Sequence, residues 1–267
     1  MKPENLRKEQ EVREGDLALC RATLYSALAL GFRPPTEETL TRLASTEGAT
    51  VLAGAAALLD GQHQVTLTSA AEDLSKIKKT SVSELEVSFW RLFGHTVRGQ
   101  VPLYETEYGV DSLFQQPQEL ADLLGFYHAF GLALDPKEHE RADHVSCELE
   151  FLSFLALKEV YGLEQRDDPM LEETRKAART FLRDHLGRFA PAFTRKLSRE
   201  DREGFYGALG ELCARFVIED CTRLSVSVGP ESLGLRPAAE DQVPMACDNG
   251  AECTELSGAC EQEIMEK

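Results

Sequence analysis

No stretch of this 267-residue chain approaches the roughly 20 consecutive apolar residues that a membrane helix needs. The opening, MKPENLRKEQEVREGD, has mixed charge and no hydrophobic region, unlike a secretory leader, and predicts a chain that stays in the cytoplasm. Basic charge is scarce as well: 29 Lys and Arg stand against 46 Asp and Glu, a formal net charge of −17. Nucleic acids and anionic lipids are drawn to Lys and Arg, so this balance argues against either partner and permits a cationic one. There is no GxxxxGK[ST] loop, no GxGxxG after a strand and no GxSxG turn, which removes the common nucleotide and hydrolase signatures.

Metal-binding patterns are missing too. In HERADH, His139 and His144 are five positions apart, which turns them about 140° from each other on a helix. Paired Glu-x-x-His motifs of a di-iron bundle do not occur. The seven cysteines are scattered and odd in number, a pattern of free thiols more than of a disulfide framework. Cys247, Cys253 and Cys260 are spaced more widely than the two to four residues usual in a zinc knuckle. These absences make a metal-dependent enzyme a weak reading.

What the chain does have is helical periodicity. Leu17, Cys20, Leu24 and Leu28 recur at helical spacing until Pro34 and Pro35 interrupt. Short helices are predicted over 37–45, 50–60 and 68–79. SVSELEVSFWRLFG follows, with a capping box from Ser81 to Glu84 and a stop at Gly94. In PQELADLLGFYHAFG, residues Leu120, Leu123, Leu124 and Tyr127 share a face and Gly131 ends the helix. DPMLEETRKAARTFLRDHLG begins with Asp168 as N-cap and Pro169 at the first helical position, and Gly187 is expected to close it. The last helix carries Phe205, Leu209, Leu212 and Phe216. Only LSVSVG reads as strand. From 238 to 267, eight Asp and Glu accompany one Lys and no aromatic residue, too little apolar surface to offset ordering entropy. The predicted architecture is all-α: a flexible segment over 1–15, one helical domain over 16–224, and an acidic, Cys-containing flexible tail over 225–267.

Two features bear on function. Residues 94–114, GHTVRGQVPLYETEYGVDSLF, form a long connection without helix or strand periodicity, and compact domains rarely keep such a loop unused. It carries Pro102, Tyr104, Glu105, Glu107 and Tyr108. The second feature is the start of the next-but-one helix, ADHVSCELEFLSFLALKEVYG. With His144 set at 0°, Glu148, Phe151, Leu152 and Leu155 fall within about 80° of it, so a polar pair lies inside the apolar arc. Asp143 is placed to cap that helix. One reading is a polar clamp that pins the loop. The other is a peptide groove: aromatic side chains supply area, carboxylates accept basic side chains, and the helix start supplies N–H donors.

The residues FWRLFG…VPLYETEYG, ERADHVSCELEFLSFL and FLRDHLGRFAPAF, together with LYSALALGFRPPTEETLTRL, resemble the TorD/DmsD/NarJ-type chaperones, the maturation factors of molybdopterin-containing oxidoreductases. The resemblance covers about residues 16–220. It implies an all-helical, cofactor-free cytoplasmic protein, monomeric or dimeric. Such a protein binds the apo catalytic subunit of its client, often through a twin-arginine signal peptide, until the cofactor is inserted. In the family's Glu-x-Pro-Asp-His pattern, Glu140, Asp143 and His144 match while Ala142 replaces the proline. The candidate client-binding residues are thus Trp90, Pro102, Tyr104, Glu105, Glu107, Tyr108, Glu140, Asp143, His144 and Glu148, with the carboxylates directed at client arginines. A permanent structural subunit of the oxidoreductase and, more remotely, a metal-dependent helical enzyme are the competing classes.

Overall fold

The computed structural model describes residues 3–60, 67–77, 81–94, 98–110, 115–136 and 140–237. Ten α-helices account for most of them. In chain order, α1 is Pro3–Gly31, α2 Glu37–Thr39, α3 Thr46–Leu59, α4 Leu67–Lys76 and α5 Val82–Phe93. Then come α6 Gln115–Ala129, α7 Val145–Gln165, α8 Asp168–Asp184, α9 Leu186–Glu200 and α10 Phe205–Arg223. A π-helical turn, Leu40–Ala44, follows α2, and a 3-10 turn, Glu105–Glu107, sits in the long loop. Among the described residues there is no sheet, only isolated bridges between Tyr104 and His144 and between Tyr108 and Leu235. LSVSVG pairs with nothing as a strand.

Helix α7 lies at the centre, against α1, α8 and α9. Its predicted apolar arc is buried throughout, including Val145, Leu149, Phe151, Leu152, Leu155 and Ala156. Opposite it α1 buries Leu24, Tyr25 and Leu28, with the buried Phe32 just past its end. The two helices are also joined by charge, since Arg21 Nη2 donates to Glu159 Oε2 at 2.6 Å, both groups being buried. The stops at Gly94 and Gly131 are where the sequence puts them, each glycine holding a positive φ (85° and 72°) that other residues adopt only with strain. Ser81 Oγ accepts from the Glu84 amide and so caps α5.

Several boundaries differ from the sequence expectation. The segment 1–15 is not a loose arm as far as it is described: α1 begins at Pro3, and Glu14 and Glu11 face Arg175 and Arg166. These ion pairs give an otherwise exposed helical extension something to rest on. The N-cap of α8 is Asp167, whose side chain accepts from the Met170 amide, so that Asp168 is already helical. Gly187 lies inside α9, and the break falls at His185. The glycine is required for another reason: a Cβ there would come within 2.3 Å of the Leu182 carbonyl oxygen. Helix α7 is capped by His144, whose Nδ1 accepts from the Ser146 amide, and not by Asp143. Finally, the globular body continues past residue 225 to Arg236, because 226–236 folds back onto α9 and the long loop. The tail cysteines and His139 lie outside the described residues. Cys20, Cys147, Cys213 and Cys221 are free thiols.

Candidate functional site

The long loop leaves α5 at Gly94 and crosses the entry of α7. Its backbone is fastened there by Val101 N–H to Leu92 O at 2.9 Å, Glu105 N–H to Asp143 O at 2.8 Å and Val145 N–H to Leu103 O at 2.8 Å. Between loop, α5 and the α7 entry opens a cleft of about 410 Å³. Trp90 and Phe93 come from α5, Pro102, Tyr104 and Glu107 from the loop, and Glu140 and His144 from the start of α7. Trp90 is 38% exposed, unusually open for an indole in a folded domain.

Tyr104 is the best-anchored of the wall residues. The Arg141 guanidinium lies 4.6 Å from its ring centre and the His144 ring meets it edge-on at 5.2 Å. Its hydroxyl donates to Glu140 Oε2 at 3.3 Å. Burial, then the Glu140 charge, pushes the phenol up to about 12, so it stays a donor at every physiological pH. Burial, followed by the nearby Arg33 and Arg141 charges, holds His144 down at about 3. A neutral imidazole whose Nδ1 accepts from Ser146 carries its proton on Nε2, and its 3.9 Å approach to Glu140 is no ion pair near pH 7. Glu107 Oε2 lies 3.0 Å from Arg98 Nε, in a geometry too bent for a hydrogen bond.

The remaining candidates sit behind this wall, not on it. Glu105, Asp143 and Glu148 are fully buried and Tyr108 nearly so. Glu105 accepts from Arg188 Nη2 at 2.6 Å and from His185 Nδ1 at 3.0 Å. Asp143 accepts from Arg141 at 2.7 and 3.0 Å and from the Thr106 hydroxyl at 2.7 Å. The Tyr108 hydroxyl donates to the Pro102 carbonyl at 2.8 Å. Neither Glu148 oxygen has a donor in hydrogen-bonding geometry. Burial, and then the neighbouring charges of Glu105 and Asp143, raise this carboxyl well above its usual range, so Glu148 holds its proton more tightly than an ordinary carboxyl. The Glu105 and Asp143 carboxylates, both expected to face client arginines, are therefore already matched by arginines of the chain itself, and they shape the loop from beneath.

Sequence reasoning named none of those cationic partners as site residues. His185 and Arg188 stood in view in FLRDHLGRFAPAF, where a His and an Arg interrupt an apolar helix; that interruption was the available signal. His185 Nε2 also meets Asp122 Oδ2 at 3.2 Å. Burial pulls this imidazole down, but Glu105 and Asp122 together outweigh it and leave it raised. With a carboxylate at each ring nitrogen, only the doubly protonated ring donates to both.

Among the described residues no His, Cys, Asp and Glu cluster could hold a metal ion, and no helix is long and apolar enough to cross a membrane. The described residues thus form an all-α body with an open cleft over a buried charged layer. The family model described as nitrate reductase delta subunit matches residues 56–195, and the chain belongs to that family. It is 29% identical over 221 residues to the perchlorate reductase assembly chaperone protein of Dechloromonas aromatica, covering 79% of this chain and 93% of that one. Identity with the chaperone protein TorD of Vibrio cholerae is 27% over 205 residues, 75% of this chain and 90% of that one. The selenate reductase assembly chaperone protein of Thauera selenatis is 39% identical over 121 residues, 43% of this chain and 58% of the relative.

Proposed function

We propose that this protein is a cytoplasmic maturation chaperone that holds the apo catalytic subunit of a molybdopterin-dependent oxidoreductase, and that the Trp90–Tyr104 cleft takes a segment of that client, such as a twin-arginine signal peptide. Family membership and the names of the relatives support the chaperone role. The observation that carries the site is the open cleft itself, with an exposed indole, an anchored phenol and the Glu107 and Glu140 carboxylates around one opening. Aromatic walls supply contact area at small entropic cost, and the rim carboxylates suit guanidinium or ammonium groups.

The test is calorimetric titration with a peptide carrying paired arginines ahead of an apolar stretch, and with the whole apo catalytic subunit. Trp90→Ala should weaken the peptide by about tenfold or more, the scale of an interfacial anchor, and Glu140→Gln by a smaller factor, while the melting curve is kept. Failure of the wild-type protein to bind the apo subunit would overturn the chaperone role. Unchanged affinity in both variants would move the client elsewhere on the surface. Stoichiometric retention in the mature, cofactor-loaded enzyme would favour a permanent structural subunit.

A further inference from the structure

The sequence pattern places Arg236 in a tail; the structure places it under the cleft loop, with a side chain that is 3% exposed. Its Nη1 donates to the Thr106 carbonyl at 2.8 Å and its Nε to the Val110 carbonyl at 3.1 Å. Both terminal nitrogens meet the two Glu119 oxygens, at 3.0 and 3.1 Å. The backbone joins in: Arg236 N–H donates to Glu107 O at 2.8 Å, and Gly109 N–H donates to Gly234 O at 2.8 Å. Arg98, a cleft residue, donates in turn to the Arg236 carbonyl at 2.7 Å.

From this geometry we infer that Arg236 is a positioning residue for the cleft: it clamps residues 106–110 so that Tyr104 and Glu107 stay on the wall, which makes the segment after α10 part of the binding site. The inference rests on the cleft being the client site. The physical argument is one of unsatisfied groups. A loop without helix or strand has no ladder to take up its carbonyls, and burying them without donors is costly. The loop's Thr106, Glu107 and Val110 carbonyls each take a donor from Arg236. A guanidinium suits the task because its planar fork reaches two carbonyls and both oxygens of one carboxylate at once. Lysine, a point charge, keeps the attraction to Glu119 and loses the fork. Gly109 allows the close approach: its φ is +126° and a Cβ would stand 3.3 Å from Arg236 Nη2.

The experiment uses the full chain and an Arg236→Lys variant. Three readouts are taken: the melting curve, hydrogen exchange at Tyr108 and Gly109, and quenching of Trp90, the chain's one tryptophan. The expected result is a largely retained melt, faster exchange at both amides, a more quenchable Trp90, and affinity for the paired-arginine peptide reduced about tenfold, the effect of one or two lost hydrogen bonds. Unchanged exchange and quenching, or a loosened loop with undiminished affinity, would overturn the inference. If the wild type binds neither peptide nor subunit, the client reading fails, while exchange and quenching still decide whether Arg236 sets the loop. A second measurement needs no variant. In the wild type the Gly109 and Arg236 amides should exchange at matched rates, because both open only when the clamp lifts, and saturating peptide should slow both by the same factor. Clearly different rates for the two amides would count against a single clamp.

Discussion

Two glutamates side by side should respond unequally to the same substitution. Glu105 carries the charge that Arg188 and His185 face at 2.6 and 3.0 Å, whereas Glu148, lacking any donor, is the protonated member. Glu105→Gln keeps the shape and strips the anion from a buried cationic pair. Breaking such a pair costs about 3–5 kcal/mol. The lower end applies, because Arg188 keeps Glu119 at 3.1 Å and His185 keeps the more exposed Asp122. For a domain of this size, about 3 kcal/mol lowers the melting temperature by on the order of 6–12 °C. Glu148→Gln instead exchanges one neutral group for another, and its amide N–H2 offers Glu105 a donor, so the cost should stay below about 1 kcal/mol. The pH dependence separates them further. A carboxyl raised in the folded state holds its proton more tightly there, so wild-type stability falls as pH rises above the ordinary carboxyl value of 4.5, until the folded value is passed. The slope reaches about 1.4 kcal/mol per pH unit, and the Glu148→Gln variant lacks it. Thermal denaturation followed by circular dichroism from mildly acidic to mildly alkaline pH reads both effects. Equal losses in the two variants, or a pH-independent difference between wild type and Glu148→Gln, would refute the assignment of charge and proton.

The two histidines of the site should tilt the stability profile in opposite directions. His185, raised by Glu105 and Asp122 against the pull of burial, contributes stability that is complete below about 6.5 and is lost as pH rises through its folded value, so His185→Gln should cost most on the acid side. His144, lowered to about 3, contributes stability that is complete above about 6.5 and is lost as pH falls towards that value; the cost of His144→Asn, which keeps a cap, should shrink on acidification. Denaturant titrations at several pH values check both, and parallel curves would contradict them. Away from the cleft, Arg21→Met should cost about 3 kcal/mol in urea unfolding, since it leaves buried Glu159 to the half-exposed Arg175 alone. A loss below about 1 kcal/mol would mean that Arg175 suffices.

The helices were legible because their causes are local. The apolar arc of α7 can be counted off at 100° steps, and the positive-φ stops at Gly94 and Gly131 are properties of single residues. The irregular loop was legible too, as a place where periodicity fails beside an aromatic and acidic cluster. Which of its carboxylates face outward was not. Alternation cannot be counted in a segment without regular structure, and the guanidinium that neutralises Glu105 comes from 83 residues further on. Arg236 was illegible for the same reason, amplified: composition shifts towards tail character around it, while its partners lie 117 to 130 residues back along the chain. Gly187 gave a stop signal that meant a close approach of backbone instead, because glycine serves both purposes.

The site thus has two layers with different tasks. Beneath, Glu105, Asp143, Arg188, His185 and Arg236, joined by the exposed Arg141, hold an irregular loop against two helix ends. Removing any one leaves the others short of a partner in a medium where that is costly. Above, the cleft mixes aromatic and polar surface, and its carboxylates are engaged, Glu107 with Arg98 and Glu140 with the Tyr104 hydroxyl. On the proposed reading, a client arginine entering here would compete for carboxylates that already have company, so a single ion pair would not hold it tightly. Affinity, on that reading, would come chiefly from the part of the segment that buries apolar area of Trp90 and Tyr104. The net charge of −17 would act at longer range, favouring approach of a cationic segment without fixing its register. On the proposed reading register then falls to shape: the rigidity of the loop, and so of the layer that clamps it, would let a shallow cleft tell one client segment from another.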